Sequence, residues 1–357
     1  MQCQLSTKDA RCFAILSHCF NLESYFMKKI RRCDLTCGLA FPLLLSAGLC
    51  LGLSQAQAQQ YPSKPITLVV GYPPGGSTDL TGRAVAEALT KILRQPVVVE
   101  NLGGAGGALG AQKVVNSTPD GYTLLLGANN EVVINRLINP ALKYDGAKDL
   151  QSIGLVASQP MVLVAAPKTG VKTTEQFYAA VKQKPGRFSY GSSGVGTALH
   201  LAGEMVKENA GLFMVHIPYR GVAPLASDLI GDSLDYGFFV LSSSLPYIKS
   251  GKVIPIGVTT TKRSTALPDV PSLSDYPKLK GVDIESWFVL AGPKDLPAPI
   301  ASALKTALQS ALLDPALRKR LEDSGSTLFT GKEDAQTFVN SEQAKYKKIV
   351  QFANIKD

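Results

Sequence analysis

The chain has 357 residues, 45% of hydrophobic type and 18% charged, with a formal net charge of +9. The six Lys/Arg and three Asp/Glu that precede Gln59 leave 31 cations and 25 anions over the last 299 residues, a balance of +6. There is no run of like charge and no interleaving of aromatic with basic residues, so nothing points to nucleic acid as a partner. A modest positive field does help to collect small anions.

Export is written at the start. Met27-Lys28-Lys29-Ile30-Arg31-Arg32 is a cationic opening, Leu39 to Leu53 is an apolar stretch broken only by Pro42, Ser46, Gly48 and Gly52, and Ala56-Gln57-Ala58 is a small-x-small exit. These are the three parts of a secretory signal. At ~1.5 Å per helical residue the apolar stretch falls short of a ~30 Å hydrocarbon core. The expectation is a signal region over residues 1–58, a start at Met27, cleavage after Ala58 and a periplasmic mature chain. All six cysteines, from Cys3 to Cys50, lie before that cut, and a domain large enough to bury its own core does not need disulfides. Leu49 before Cys50 argues against a lipobox.

From Gln59 onward the length suits two domains. Ile66–Tyr72 reads as a strand leading into Pro73-Pro74-Gly75-Gly76-Ser77-Thr78-Asp79 and a helix from Leu80 to Leu93 with apolar residues at helical spacing. Pro96–Glu100 is a strand, Leu109–Val115 a helix, and Thr123–Gly127 a strand ending in Ala128-Asn129-Asn130. A second set follows: strand Met161–Ala166, helix Thr174–Gln183, strand Phe188–Gly191 running into Ser192-Ser193-Gly194-Val195-Gly196-Thr197, and a helix through His200 and Val206. Met214–Tyr219, a helix from Pro224 to Ile230 and strand Asp235–Val240 come next. Pro255–Thr259 and Ser286–Ala291 are strands that could return the chain to the first domain, and helices Ala298–Leu312, Pro315–Asp323 and Glu333–Ala353 close it. Apolar strands alternating with helices argue an α/β fold with a mainly parallel, covered sheet. The expected domains are residues 59–162 with 288–357, and 163–287.

Gly75 to Asp79 and Ser192 to Thr197 each join a strand to a helix. A helix N-terminus offers unpaired N–H groups and about half a positive charge, an anion site without a cation. Two such loops facing each other would grip a carboxylate from both sides, although Gly-Ser-Thr turns also serve simply to start helices. The other chemistries fail on spacing. No G-x-x-x-x-G-K-[ST] is present, and Gly104-x-Gly106-x-x-Leu109 lacks the third glycine of a dinucleotide loop. Ser193 has Gly191 before it but Val195 where G-x-S-x-G needs glycine, and Ser302-x-x-Lys305 sits within an amphipathic helix. No zinc-type cluster exists, so neither a cofactor nor a metal is expected. His200, one turn into its helix, could bind a carboxylate or tie the loop down.

Tyr61-Pro62-x-Lys64-Pro65-Ile66, Pro73 to Asp79, Pro119-Asp120-Gly121-Tyr122-Thr123-Leu124, Tyr190 to Gly194, His200-Leu201-Ala202-Gly203-Glu204, Pro218-Tyr219-Arg220-Gly221 and Leu267-Pro268-Asp269-Val270-Pro271 resemble, in order, the Bug-type extracytoplasmic solute receptors of tripartite tricarboxylate transporters. The resemblance implies a two-domain periplasmic-binding-protein fold of the Venus-flytrap kind, closing over a small carboxylate held by backbone amides, hydroxyls and water. It implies a monomer that delivers to membrane permease subunits; a sensor-kinase ectodomain as partner and a periplasmic hydrolase on a similar scaffold are the alternatives. The implied site is Tyr72, Pro74, Gly75, Gly76, Ser77, Thr78, Asp79, Asn129, Asn130, Ser192, Ser193, Gly194, Gly196, Thr197 and His200. Where the family usually carries a polar pair, often Asp-Asn, this chain has Phe239 and Val240. If both face the cleft the pocket is partly apolar and an ammonium loses its partner, favouring a mono- or dicarboxylate with an apolar or aromatic body.

Overall fold

The computed structural model describes residues 61–353 and residue 355; the expected signal region lies outside them. Strand β1 (Ile66–Val70) pairs in parallel with β2 (Val97–Asn101) on one side and β3 (Thr123–Ala128) on the other. Ile66, Leu68, Val69 and Val70 are fully buried, as are Leu124, Leu125 and Leu126, as befits strands covered on both faces. Helices α1 (Ser77–Leu93) and α2 (Ala108–Val115) make the crossovers.

Strand β4 (Leu150–Ala165) is the spine of the fold. Its first part, Leu150–Pro160, pairs antiparallel with β9 (Glu285–Pro293), while Met161–Ala165 pairs antiparallel with β7 (Tyr236–Val240). One strand thus serves two sheets. The second sheet continues through β5 (Ser189–Ser192) to β6 (Val215–Pro218), both parallel. Between them run α3 (Thr174–Gln183), α4 (Ala198–Ala210), α5 (Val222–Ile230) and α6 (Leu241–Lys249). Strand β8 (Ile254–Val258) pairs with the second part of β4. It therefore stays in the second lobe, and only β9 returns the chain, pairing with β3 as well as β4. The sheet is mixed rather than mainly parallel, because both strands that carry the chain between lobes run against their neighbours. Helices α7 (Ala298–Leu313) and α8 (Pro315–Asp323) then pack on the first lobe, while α9 (Ala335–Ala353) lies against both the Asn130–Ile134 turn of the first lobe and α4 of the second, and β10 (Thr327–Leu328) pairs with β4.

The chain's single tryptophan, Trp287, lies on the returning strand. It is fully buried, its indole N–H donates to Glu342 Oε2 of α9 at 2.8 Å, and its ring meets Phe338 edge-on at 5.3 Å. It locks the C-terminal helix to the returning strand. Trp287→Ala is expected to cost about 3–5 kcal/mol, read as a lowered urea midpoint by circular dichroism; an unchanged midpoint would contradict this role.

Candidate functional site

Helix α1 starts at Gly76, which has an extended backbone and no side chain with which to cap the first turn. The N–H groups of Ser77 and Thr78 precede the first helical bond, made by Leu80 N–H to the Gly76 carbonyl, so the helix itself offers them no acceptor. The loop before it is held by Asp79, which accepts from Gly75 N–H at 2.9 Å and Asn101 Nδ2 at 2.9 Å and pairs with Arg83 at 2.9 Å. Burial works to raise its pKa, but these three partners hold its carboxyl below the ordinary range. Its charge is spent inside the loop.

Helix α4 begins opposite. Thr197 caps it by accepting from His200 N–H, and Ala198 N–H donates to Asn130 Oδ1 of the first lobe at 3.1 Å. Asn130 opens a π-type turn, Asn130–Ile134, in which Asn135 N–H reaches back to its carbonyl, a local geometry common at functional sites. The Asn130 amide nitrogen is buried and has no hydrogen-bond partner among the described residues. Two further helix starts join these: α5 at Gly221, which is uncapped, and α6 at Val240, where the Ser242 N–H donates to Gln159 Oε1 at 3.2 Å.

Residues from the first turns of all four helices, with Tyr72, Ala128, Asn129, Asn130, Ser193 and Ser286, line an inner recess of about 40 Å³. That is room for roughly three waters or one carboxylate group. Tyr72 and Ser193 also stand in the wall of an outer chamber of about 900 Å³, lined further by Pro74, Gly103–Leu109, Gly194, Gly196 and Arg220. The lobes meet through small residues: a Cβ on Gly76 would lie 3.2 Å from Val222, and one on Gly221 3.3 Å from Pro73.

Of the residues singled out in the sequence, Gly76, Ser77, Thr78, Asn129, Asn130, Thr197 and Val240 line the recess, Pro74, Gly194 and Gly196 the outer chamber, and Tyr72 and Ser193 both. Gly75, Asp79, Ser192, His200 and Phe239 line neither. Gly75 supplies a positive φ of 86° to the turn. Ser192 and His200 brace the second loop from behind: Ser192 Oγ meets His216 Nε2 at 2.7 Å, and His200 Nδ1 accepts from Gly196 N–H at 3.1 Å. The two imidazoles stack at 3.8 Å. Burial, with His200 beside it, drives the His216 pKa down to about 3, so the His216 imidazole is neutral. Phe239 does not join Val240 at the cleft. Alternation along β7 turns it the other way, into the second lobe's apolar cluster with Val162, Leu225, Leu229 and Val258. Leu199, Val222, Ser243 and Ser286 were not singled out; only Gly221, next to a helix start, signalled one of them.

Glu131 is buried behind the recess, accepting from Ala128 N–H at 3.1 Å with its other oxygen unpartnered. Burial pushes its pKa up to about 8, so at neutral pH it puts no charge behind the recess. Its unfolded counterpart ionises near 4.5 while the folded form keeps its proton up to about 8. Stability that is complete below the lower value is therefore lost as pH rises toward the upper one. Glu131→Gln should abolish that slope, its gain in urea unfolding being larger at about pH 8 than at about pH 5. Parallel pH profiles for both proteins would contradict it.

The comparisons with known proteins agree with this geometry. Residues 81–355 match the family described as tripartite tricarboxylate transporter family receptor, and the chain belongs to it. A UPF0065 protein of Agrobacterium vitis is 37% identical over 284 residues, covering 80% of this chain and 81% of that one. The structure of the periplasmic binding protein BugD matches with a TM-score of 0.79 at 31% identity, and an R. palustris protein solved with adipate with a TM-score of 0.79 at 28% identity; each match covers 83% of this chain and 99% of the other. The family and these neighbours are solute-binding proteins rather than enzymes. The chain is thus a periplasmic-binding-protein-type receptor with a two-domain fold.

Proposed function

We propose that the mature chain, exported by cleavage after Ala58, closes over a small carboxylate with an apolar or aromatic body and delivers it unchanged to the permease subunits of a tripartite tricarboxylate transporter. The domains in this reading are residues 59–162 with 288–357, and 163–287. The observation that carries it is the buried, unpartnered Asn130 amide beside uncapped helix starts, in a recess whose lining includes no ionisable side chain other than Tyr72. Donors without acceptors, in walls without charge, suit an anion. The adipate found with the R. palustris relative supports a carboxylate.

Val240, Val222, Leu199 and Ala128 supply the apolar walls. An amino acid's ammonium would meet no carboxylate there, and an unpaired buried ammonium costs several kcal/mol. Phe239, being core, has no part in this preference, which rests on Val240 and its neighbours.

Gly76→Val tests the site. Its side chain would shield the α1 amides and collide with Val222 across the cleft. Losing even one charge-assisted hydrogen bond weakens binding roughly ten- to a hundredfold. Calorimetry across apolar carboxylates, their primary amides and polar amino acids should show the carboxylates binding wild type and not Gly76→Val, with circular dichroism unchanged. Equal binding of the amides, or normal binding by the variant, would sink the proposal.

A further inference from the structure

We infer that the outer chamber is a second anion subsite, in which Arg220 receives the distal carboxylate of a dicarboxylate whose first carboxylate sits in the recess. The inference rests on the recess reading above and narrows its ligand class to dicarboxylates.

The two chambers differ in charge. Among the described residues that line them, Arg220 is the one Asp, Glu, Lys or Arg. Its guanidinium has no ion-pair or hydrogen-bond partner among the described residues, whereas the neighbouring Tyr219 is tied to Asp228 Oδ2 at 2.8 Å. The outer lining includes no Asp or Glu, so nothing in that wall competes with a ligand for the cation. The inner recess, at about 40 Å³, holds one carboxylate group but not the body of a larger acid. The body must extend past Tyr72 and Ser193, the residues the chambers share, into the space that Arg220 lines.

The spacing suits this. Arg220 stands two residues before Val222, which lines the recess. Gly221, with φ at 100°, makes the sharp turn that sends residue 220 to the outer wall and residue 222 to the inner one. An Arg fork can take the distal carboxylate through two parallel hydrogen bonds. Because Arg220 is exposed, that contact is screened by salt, while the recess contact is shielded.

The test is calorimetry on the purified protein with matched acids differing only in the second carboxylate: butyrate and succinate, hexanoate and adipate, octanoate and suberate, benzoate and terephthalate. In wild type at least one diacid should bind tenfold or more tighter than its monoacid, and added salt should shrink that advantage. Arg220→Gln should cut the diacid's affinity roughly ten- to a hundredfold and leave the monoacid's unchanged; Arg220→Lys should recover part of it. The proposal is overturned if Arg220→Gln weakens both members of a pair alike, if the diacid keeps its advantage, or if no diacid outbinds its partner. Monoacids that still bind wild type and fail on Gly76→Val would leave the recess reading standing while this one falls. Wild type that binds no acid at all would overturn both.

Discussion

Helices α1 and α5 begin at the recess without a side chain to cap them, and their first N–H groups must find acceptors there or go without; at α6 the Ser242 N–H already donates to Gln159 Oε1 at 3.2 Å. Buried donors left unpaired are costly, and the folded chain offers little to quench them. Asn130 spends its oxygen on Ala198 N–H and adds its own nitrogen to the unsatisfied set. The nearby ionisable groups are all withdrawn from the problem. Asp79 is consumed by its loop, Glu131 holds its proton, and the His200–His216 stack lies behind the second loop. What remains is a positive electrostatic environment made of backbone dipoles, which an incoming carboxylate can satisfy without a buried salt bridge and its desolvation penalty.

Closure follows from the same economy of side chains. The chain passes between lobes through β4 and again just before β9, so the lobes are joined by two crossings on one side of the cleft. On the other side they meet at Gly76, Gly221 and Gly196, the last of which faces Ile138. A Cβ at any of these would press on the opposing lobe at 3.1–3.3 Å. Glycine at the rim therefore does two things at once: it leaves the helix amides uncovered and lets the lobes sit close together, as the proposed closure over a carboxylate requires.

Much of this was legible in the sequence. The Gly-Ser-Thr loops before α1 and α4 read as helix starts because turn chemistry is local, and Asn130 stood at a strand end that the family resemblance implied at the cleft. Other parts were hidden for physical reasons. The first part of β4 breaks its two-residue period twice, at Ser152/Gly154 and Leu155/Ala157, so it did not read as a strand. Helix α6 contains three consecutive serines and Pro246, a loop-like composition. The buried setting overrides it, with Ser243 and Ser244 returning their hydroxyls to the carbonyls of Val240 and Leu241. Phe239 and Val240 looked like one substituted pair, but strand alternation assigns them to opposite faces. The His200–His216 stack joins residues on different elements, which no local pattern can announce.

The most direct measurement is a crystal structure of the protein with the carboxylate that stabilises it most. The carboxylate oxygens should lie within about 3 Å of the Ser77 or Thr78 amide nitrogens and of Asn130 Nδ2, with the ligand's body leaving the recess past Tyr72 and Ser193. A carboxylate seated elsewhere, with Asn130 Nδ2 still unpartnered, would contradict the claim that uncapped helix starts and one buried amide make the binding site.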